Sequence, residues 1–198
     1  MLYHTSSMAF LTVPNLLSLL RMVLSPVFVV VAVTGSLRVA FILFCVAALT
    51  DMIDGTIARL FKQKSSLGAF LDPMADKLLM ASSFITLTVL GIIPFWITAV
   101  VFLRDLLIVT GVIVFKIKKI KVAYRPTLLS KATTFFQIMT LVSALTPYGR
   151  TLFSQEQVVL ELLGRGLPFF MVVTLAFTLL TAIQYTRKGL QLLKTGVL

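Results

Sequence analysis

Acidic side chains are scarce in this 198-residue chain, with seven Asp and Glu set against eighteen Lys and Arg. Histidine, cysteine and tryptophan occur once each, and only 13% of residues are charged. The single cysteine, Cys45, excludes an internal disulfide and reads as a buried small hydrophobe. The single histidine, His4, lies in the first few residues and offers neither a His-based triad nor a His-rich metal site. No stretch is polar and long enough for a separate soluble domain, so the net charge of +11 does not point to nucleic acid. In a greasy chain it points to basic loops facing anionic headgroups.

Apolar residues make up 59% of the sequence and the mean hydropathy is +1.04, which predicts an all-α, polytopic membrane protein. Residues 1–13 read as an interfacial arm, since Tyr3 and His4 mix with Leu2, Met8 and Phe10. The N-terminus lacks the basic region of a cleavable signal, so the first apolar segment is expected to be mature structure. Six spans are predicted at 15–34, 39–60, 70–91, 94–115, 128–147 and 166–186, forming one membrane domain over 1–198. Gly35 with Ser36, and Gly91 with Pro94, mark two of the turns. Trp96 and Tyr148 fall near span ends, where aromatic belts form.

Arg59, Lys62 and Lys64, then Lys116 to Arg125, then Arg187, Lys188 and Lys194 crowd alternate connections. The positive-inside rule therefore puts both termini in the cytoplasm.

Four of the seven acidic residues fall within 51–76: Asp51, Asp54, Asp72 and Asp76. A charged side chain in lipid costs roughly 2.5–3.5 kcal/mol even on the gentler insertion scale, so four like charges need a reason. Asp51 and Asp54, at i and i+3, share a helix face with Cβ atoms ~5–6 Å apart. Gly55 and Ala58 leave that face bare of bulk, and Gly68, Asp72 and Asp76 repeat an i, i+4 stride on the next segment. The two faces offer up to eight oxygens, which suits one or two hard cations such as Mg²⁺ or Mn²⁺. A purely structural reading competes: Asp72 before Pro73 could cap a helix, and Asp51 could pair with Arg59 or Lys77. All four carboxylates at helical spacings favour the cation site.

Residues 51–76 resemble the signature of the CDP-alcohol phosphatidyltransferase family, D-x-x-D-G-x-x-A-R followed by G-x-x-x-D-x-x-x-D. Asp51, Asp54, Gly55, Ala58, Arg59, Gly68, Asp72 and Asp76 fill every defining position. Pro14-Asn15 with Ser18 and Arg21 resembles the family's opening motif, and Arg104-Asp105 and Pro126 to Lys131 resemble later landmarks. The resemblance implies a six-helix membrane enzyme, commonly a homodimer, with two divalent metals on the four aspartates. It makes Asp76 also the general base, and Gly55, Ala58, Arg59 and Gly68 the shapers of the nucleotide site. The donor would be CDP-diacylglycerol and the leaving group CMP. Paired cations suit such chemistry, because charge builds on both the transferred and the leaving phosphate. A carboxylate beside metal is a weak base, so proximity must do much of its work.

Arg104, near the middle of the fourth span, is costly there unless it faces a polar cavity. With Lys131 and then Arg125, it is the candidate for binding an acceptor's phosphate. Asp105 should point roughly 100° away from Arg104 and answer another group. Asn15, Ser18 and Arg21 share one flank of the first span, where they could line a nucleotide cavity or pack helices. Length and pattern look like the phosphatidylglycerophosphate synthases of the family, whose acceptor is glycerol 3-phosphate. Arg104-Asp105 and 125–137 also resemble its cardiolipin synthases, which use phosphatidylglycerol. Ser130, where the first group often has glycine, weakens the first choice, though the balance leans to glycerol 3-phosphate. From another class, a cation-coupled transporter would explain buried carboxylates but not the glycine, alanine and arginine at their spacing, and no inverted repeat is visible.

Overall fold

The computed structural model describes residues 13–60, 68–117, 127–149 and 157–195, with the side chains of 13–14, 51–60, 68–70, 116, 157–160 and 193–195 outside the description. The proposed arm and Arg125 also lie outside the described residues. Among the described residues every regular element is a helix: α1 (Val13–Val33), α2 (Leu37–Leu60), α3 (Gly68–Val89), α4 (Phe95–Ile117), α5 (Leu128–Gly149), α6 (Gln157–Arg165) and α7 (Leu167–Thr195). The six long helices occupy the six apolar stretches of the sequence. The short α6 was not anticipated, and α7 runs nine residues past the expected end at 186.

Two glycines end helices as their conformational freedom allows. Gly35 (φ 92°) and Gly91 (φ 72°) sit just past α1 and α3 in the left-handed region. Around Gly35 the amide of Ser36 reaches Val31 O at 3.1 Å and that of Gly35 reaches Ala32 O at 3.2 Å. Around Gly91 the amides of Ile92 and Gly91 reach Leu87 O and Thr88 O at 2.9 and 3.0 Å. Both are Schellman caps, which satisfy the last carbonyls and turn the chain sharply.

α1 lies against both α2 and α3, α5 packs on α2, α6 and α7, and α4 packs on α7. One core joins the first five helices: Phe28, Phe44, Phe84, Leu87, Ile97, Leu141 and Leu145 are all buried within it. Phe28 and Phe44 meet at a centroid distance of 6.2 Å. Outside the core, valines, leucines and isoleucines stand exposed along α1, α4 and α7, as expected where lipid is the solvent.

Four helical stretches are long and apolar enough to cross a membrane: Asn15–Val33, Phe95–Phe115, Leu128–Gly149 and Leu167–Leu192. α2 has a shorter apolar part, Leu37–Thr50, and then its acidic end. α3 carries Asp72, Asp76 and Lys77.

The α5–α7 contact is built from small polar side chains. The fully buried residues described on α7 are Thr174, Thr178 and Thr181. Thr133 and Thr181 hydroxyls meet at 2.7 Å, and those of Thr140 and Thr174 at 2.8 Å. Between apolar helices in lipid, hydrophobicity gives no net pull, so close backbones and interhelical hydrogen bonds set the register. That register fixes where the first turn of α5 meets α4.

Candidate active site

On α1, Asn15, Ser18, Arg21, Ser25, Phe28 and Ala32 are all buried. Their three- and four-residue steps put them on one face of the helix. The upper part of that face is apolar and joins the core. The lower part is polar and meets α3. The Ser18 hydroxyl donates to Asp72 Oδ1, and Arg21 Nη1 donates to Asp76 Oδ1. Positions on both helices rise together, so α1 and α3 run in the same direction. Arg21 is wholly buried, whereas the Asp76 side chain keeps 46% exposure. The carboxylate is thus anchored from behind and open in front.

α2 returns antiparallel along α1 after the turn at Gly35. Counting along the hairpin, Asp51 lies sixteen residues beyond Gly35 and Leu19 sixteen before it; Asp54 corresponds in the same way to Leu16. The backbone positions of Asp51 and Asp54 therefore fall at about the level of Ser18, where Asp72 is bonded, close to one turn from Arg21. Gly55, Ala58 and Arg59 continue α2 from there, and Gly68 is the first residue of α3. The topology so brings all four aspartate positions to one end of the α1–α2–α3 layer. Among the described residues no group of three metal-ligating side chains forms, since only Asp72 and Asp76 of the four are described. Those two are hard oxygen donors at i and i+4, which fits Mg²⁺ or Mn²⁺.

The capping role considered for Asp72 is overturned, because α3 already begins at Gly68 and Pro73 lies inside it. Nor does Lys77 answer Asp51 as its described partner: its ammonium pairs with Asp105 of α4. Asp105 does reach another group, as its direction on the helix suggested, but it also accepts from Arg104 Nη1 at 2.7 Å. A long, flexible arginine spans the angle that separates neighbouring Cβ atoms. Arg104 Nη2 donates to Ser130 Oγ at 2.8 Å, and Arg104 is only 5% exposed. Its Nε has no partner among the described residues. This resolves how an arginine sits mid-helix in a membrane chain: a carboxylate pairs with its charge and a hydroxyl takes one further donor.

Ser130 sits in the first turn of α5, capped by Thr127, whose Oγ1 accepts from the Ser130 amide at 3.2 Å. Lys131 follows and is exposed. The Lys77–Asp105–Arg104–Ser130 chain adjoins the aspartate site through the consecutive residues Asp76 and Lys77. The structure therefore gathers Asp72, Asp76, Arg104 and, through Ser130, the neighbourhood of Lys131. It adds Ser18 and Arg21, for which the sequence leaves cavity lining and helix packing both open, as direct partners of Asp72 and Asp76. Their signal was the three-residue spacing of polar side chains in an otherwise apolar span.

A model of the family described as CDP-alcohol phosphatidyltransferase matches residues 11–183. A protein of Mycobacterium tuberculosis named as a probable phosphatidylglycerophosphate synthase is 31% identical over 184 residues, covering 89% of this chain and 81% of the relative. A Drosophila melanogaster protein named as a probable CMP-forming cardiolipin synthase is 37% identical over 147 residues, 66% of this chain and 46% of the relative. An Escherichia coli K12 protein named CDP-diacylglycerol–glycerol-3-phosphate 3-phosphatidyltransferase is 48% identical over 79 residues, 38% of this chain and 43% of the relative. The chain spans about half the length of the cardiolipin synthases it matches. With the family match running through every helix that builds the site, the chain belongs to the CDP-alcohol phosphatidyltransferases.

Proposed function

We propose that this protein transfers a phosphatidyl group from CDP-diacylglycerol to glycerol 3-phosphate, giving phosphatidylglycerophosphate and CMP. The observation that carries the reading is the α1–α3 pairing. Buried Ser18 and Arg21 hold Asp72 and Asp76 side by side, with Asp76 still open to a substrate. The acceptor choice is supported by the M. tuberculosis relative, which matches over most of both chains.

The acceptor hydroxyl attacks the phosphatidyl phosphorus, the bond to the CMP oxygen breaks, and the hydroxyl proton passes to Asp76. Arg21 fixes the carboxylate that receives it. Two divalent cations bound by Asp51, Asp54, Asp72 and Asp76 would supply the charge neutralisation that a diphosphate requires. Gly55, Ala58, Arg59 and Gly68 belong to the nucleotide end of the same site. Arg104, with Lys131 and Arg125, forms the acceptor-phosphate end. Six membrane-crossing helices, both termini in the cytoplasm, and a site open to soluble CMP and glycerol 3-phosphate agree with the basic connections. A homodimer agrees with the family's habit.

Purified protein given CDP-diacylglycerol, Mg²⁺ and glycerol 3-phosphate should yield phosphatidylglycerophosphate by lipid mass analysis, and none with a chelator present. Cardiolipin formed instead from phosphatidylglycerol would install the second reading, which the 37% identity to the Drosophila relative favours. No CMP with any acceptor would remove both. Within the first reading, Lys131→Gln should raise the KM for glycerol 3-phosphate about tenfold and leave that for CDP-diacylglycerol within twofold, as loss of one charge-assisted contact predicts. The reverse pattern would move Lys131 to the donor side.

A further inference from the structure

A groove of about 330 Å³ runs between the first turn of α5 and the 180–188 stretch of α7, and none of the four aspartates lines it. Leu129, Leu180 and Ile183 form its apolar walls, and Gln184, Arg187 and Lys188 line the rest. Its depth along the bilayer can be read from one hydrogen bond. Thr127 Oγ1 donates to Gln184 Oε1 at 3.1 Å, so Gln184 is level with the start of α5, where that helix's membrane-length stretch begins at Leu128. At 1.5 Å per residue, Arg187 and Lys188 lie roughly 5–6 Å beyond that level and Leu180 about 6 Å on the hydrocarbon side. The groove thus leads from acyl-chain depth to headgroup depth.

Its chemistry changes along the same line. Arg187 and Lys188 are exposed, and no acidic side chain is among the described residues that line the groove. The Gln184 carbonyl is taken by Thr127, which leaves its NH₂ hydrogens as the donors this side chain can offer. The start of a 22-residue helix, α5, adds its partial positive charge beside Leu129. An occupant must have a hydrocarbon tail and an anionic head joined at ester depth.

We infer that the α5–α7 groove is a binding site for an anionic glycerophospholipid drawn from the bilayer. One acyl chain lies on Leu129, Leu180 and Ile183, and the phosphate-bearing head rests on Gln184, Arg187 and Lys188. No aspartate lines this site, and the role inferred for it is binding alone.

Trace photoactivatable phospholipids, with a diazirine in the acyl chain and either an anionic phosphatidylserine or a zwitterionic phosphatidylcholine head, test it in the full chain in phosphatidylcholine nanodiscs. No CDP-lipid is added, so the outcome does not depend on turnover or on the transferase reading. The anionic probe should label the 180–184 segment at least about fivefold more than the zwitterionic one, since each base near an anionic head is worth roughly a fivefold preference. R187Q/K188Q should bring the two probes level, and R187K/K188R should keep the preference. Equal labelling by both probes in the wild-type chain would overturn the inference. So would a preference that survives R187Q/K188Q, or anionic labelling confined to other helices.

Discussion

Asp76→Asn is expected to lower CMP release by about 10²–10⁴-fold, the usual range for removing a general base. The substitution is almost isosteric, and its Oδ1 can still accept from Arg21 Nη1, so the α1–α3 contact should persist. What disappears is a carboxylate able to take the acceptor's proton and to contribute charge to a cation. Ser18–Asp72 is untouched, and Asp51 and Asp54 remain on α2. Binding of CDP-diacylglycerol, followed by titration in detergent, should therefore change by far less than turnover. An Asp76→Asn enzyme with turnover within a few-fold of wild type would take the base role away from this residue. Loss of donor binding equal to the loss of turnover would reduce Asp76 to a cation ligand.

The fold that frames this residue was largely legible from composition and punctuation. Apolar runs located six long helices, and Gly35 and Gly91 end two of them because only an unhindered backbone takes their φ values cheaply. α6 escaped because nine residues bearing Glu161 and Arg165 carry no membrane-length signal. Span status was harder than helix status. α3 carries Asp72, Asp76 and Lys77 close together, so the same residues that mark the site dilute its apolar signal.

For the site itself, the 51–76 spacing singles out four carboxylates as candidates, yet nothing local in the sequence names their partners. Ser18 and Asp72 are 54 positions apart, and Arg21 and Asp76 are 55 apart, so their meeting is a property of packing. A buried polar side chain in an apolar helix can serve packing or chemistry, and only its partner tells which. Arg104 shows the converse. Its partner Asp105 was adjacent in sequence, but angular reasoning from Cβ positions ignored the reach of a long side chain.

Arg21→Lys should lower kcat by about 10–100-fold while changing the melting temperature little, which marks Arg21 as a positioning residue. The asymmetry of burial is the reason. The arginine is fully buried but its carboxylate is 46% exposed, so a displaced Asp76 can be hydrated instead of stranded in the core. Lysine keeps the charge, yet it is a point donor on a different stem and cannot reproduce the planar fork that fixes a carboxylate's direction. A misplacement on the order of 1 Å at a reacting group costs about 10²-fold. The double variant separates positioning from a merely additive defect. If Arg21 acts through Asp76, then Arg21→Lys in an Asp76→Asn background should cost almost nothing further, and the two losses should fail to multiply. Single-turnover CMP release measures all four corners of that cycle. Multiplicative losses would show that Arg21 serves the reaction by a route that does not pass through Asp76.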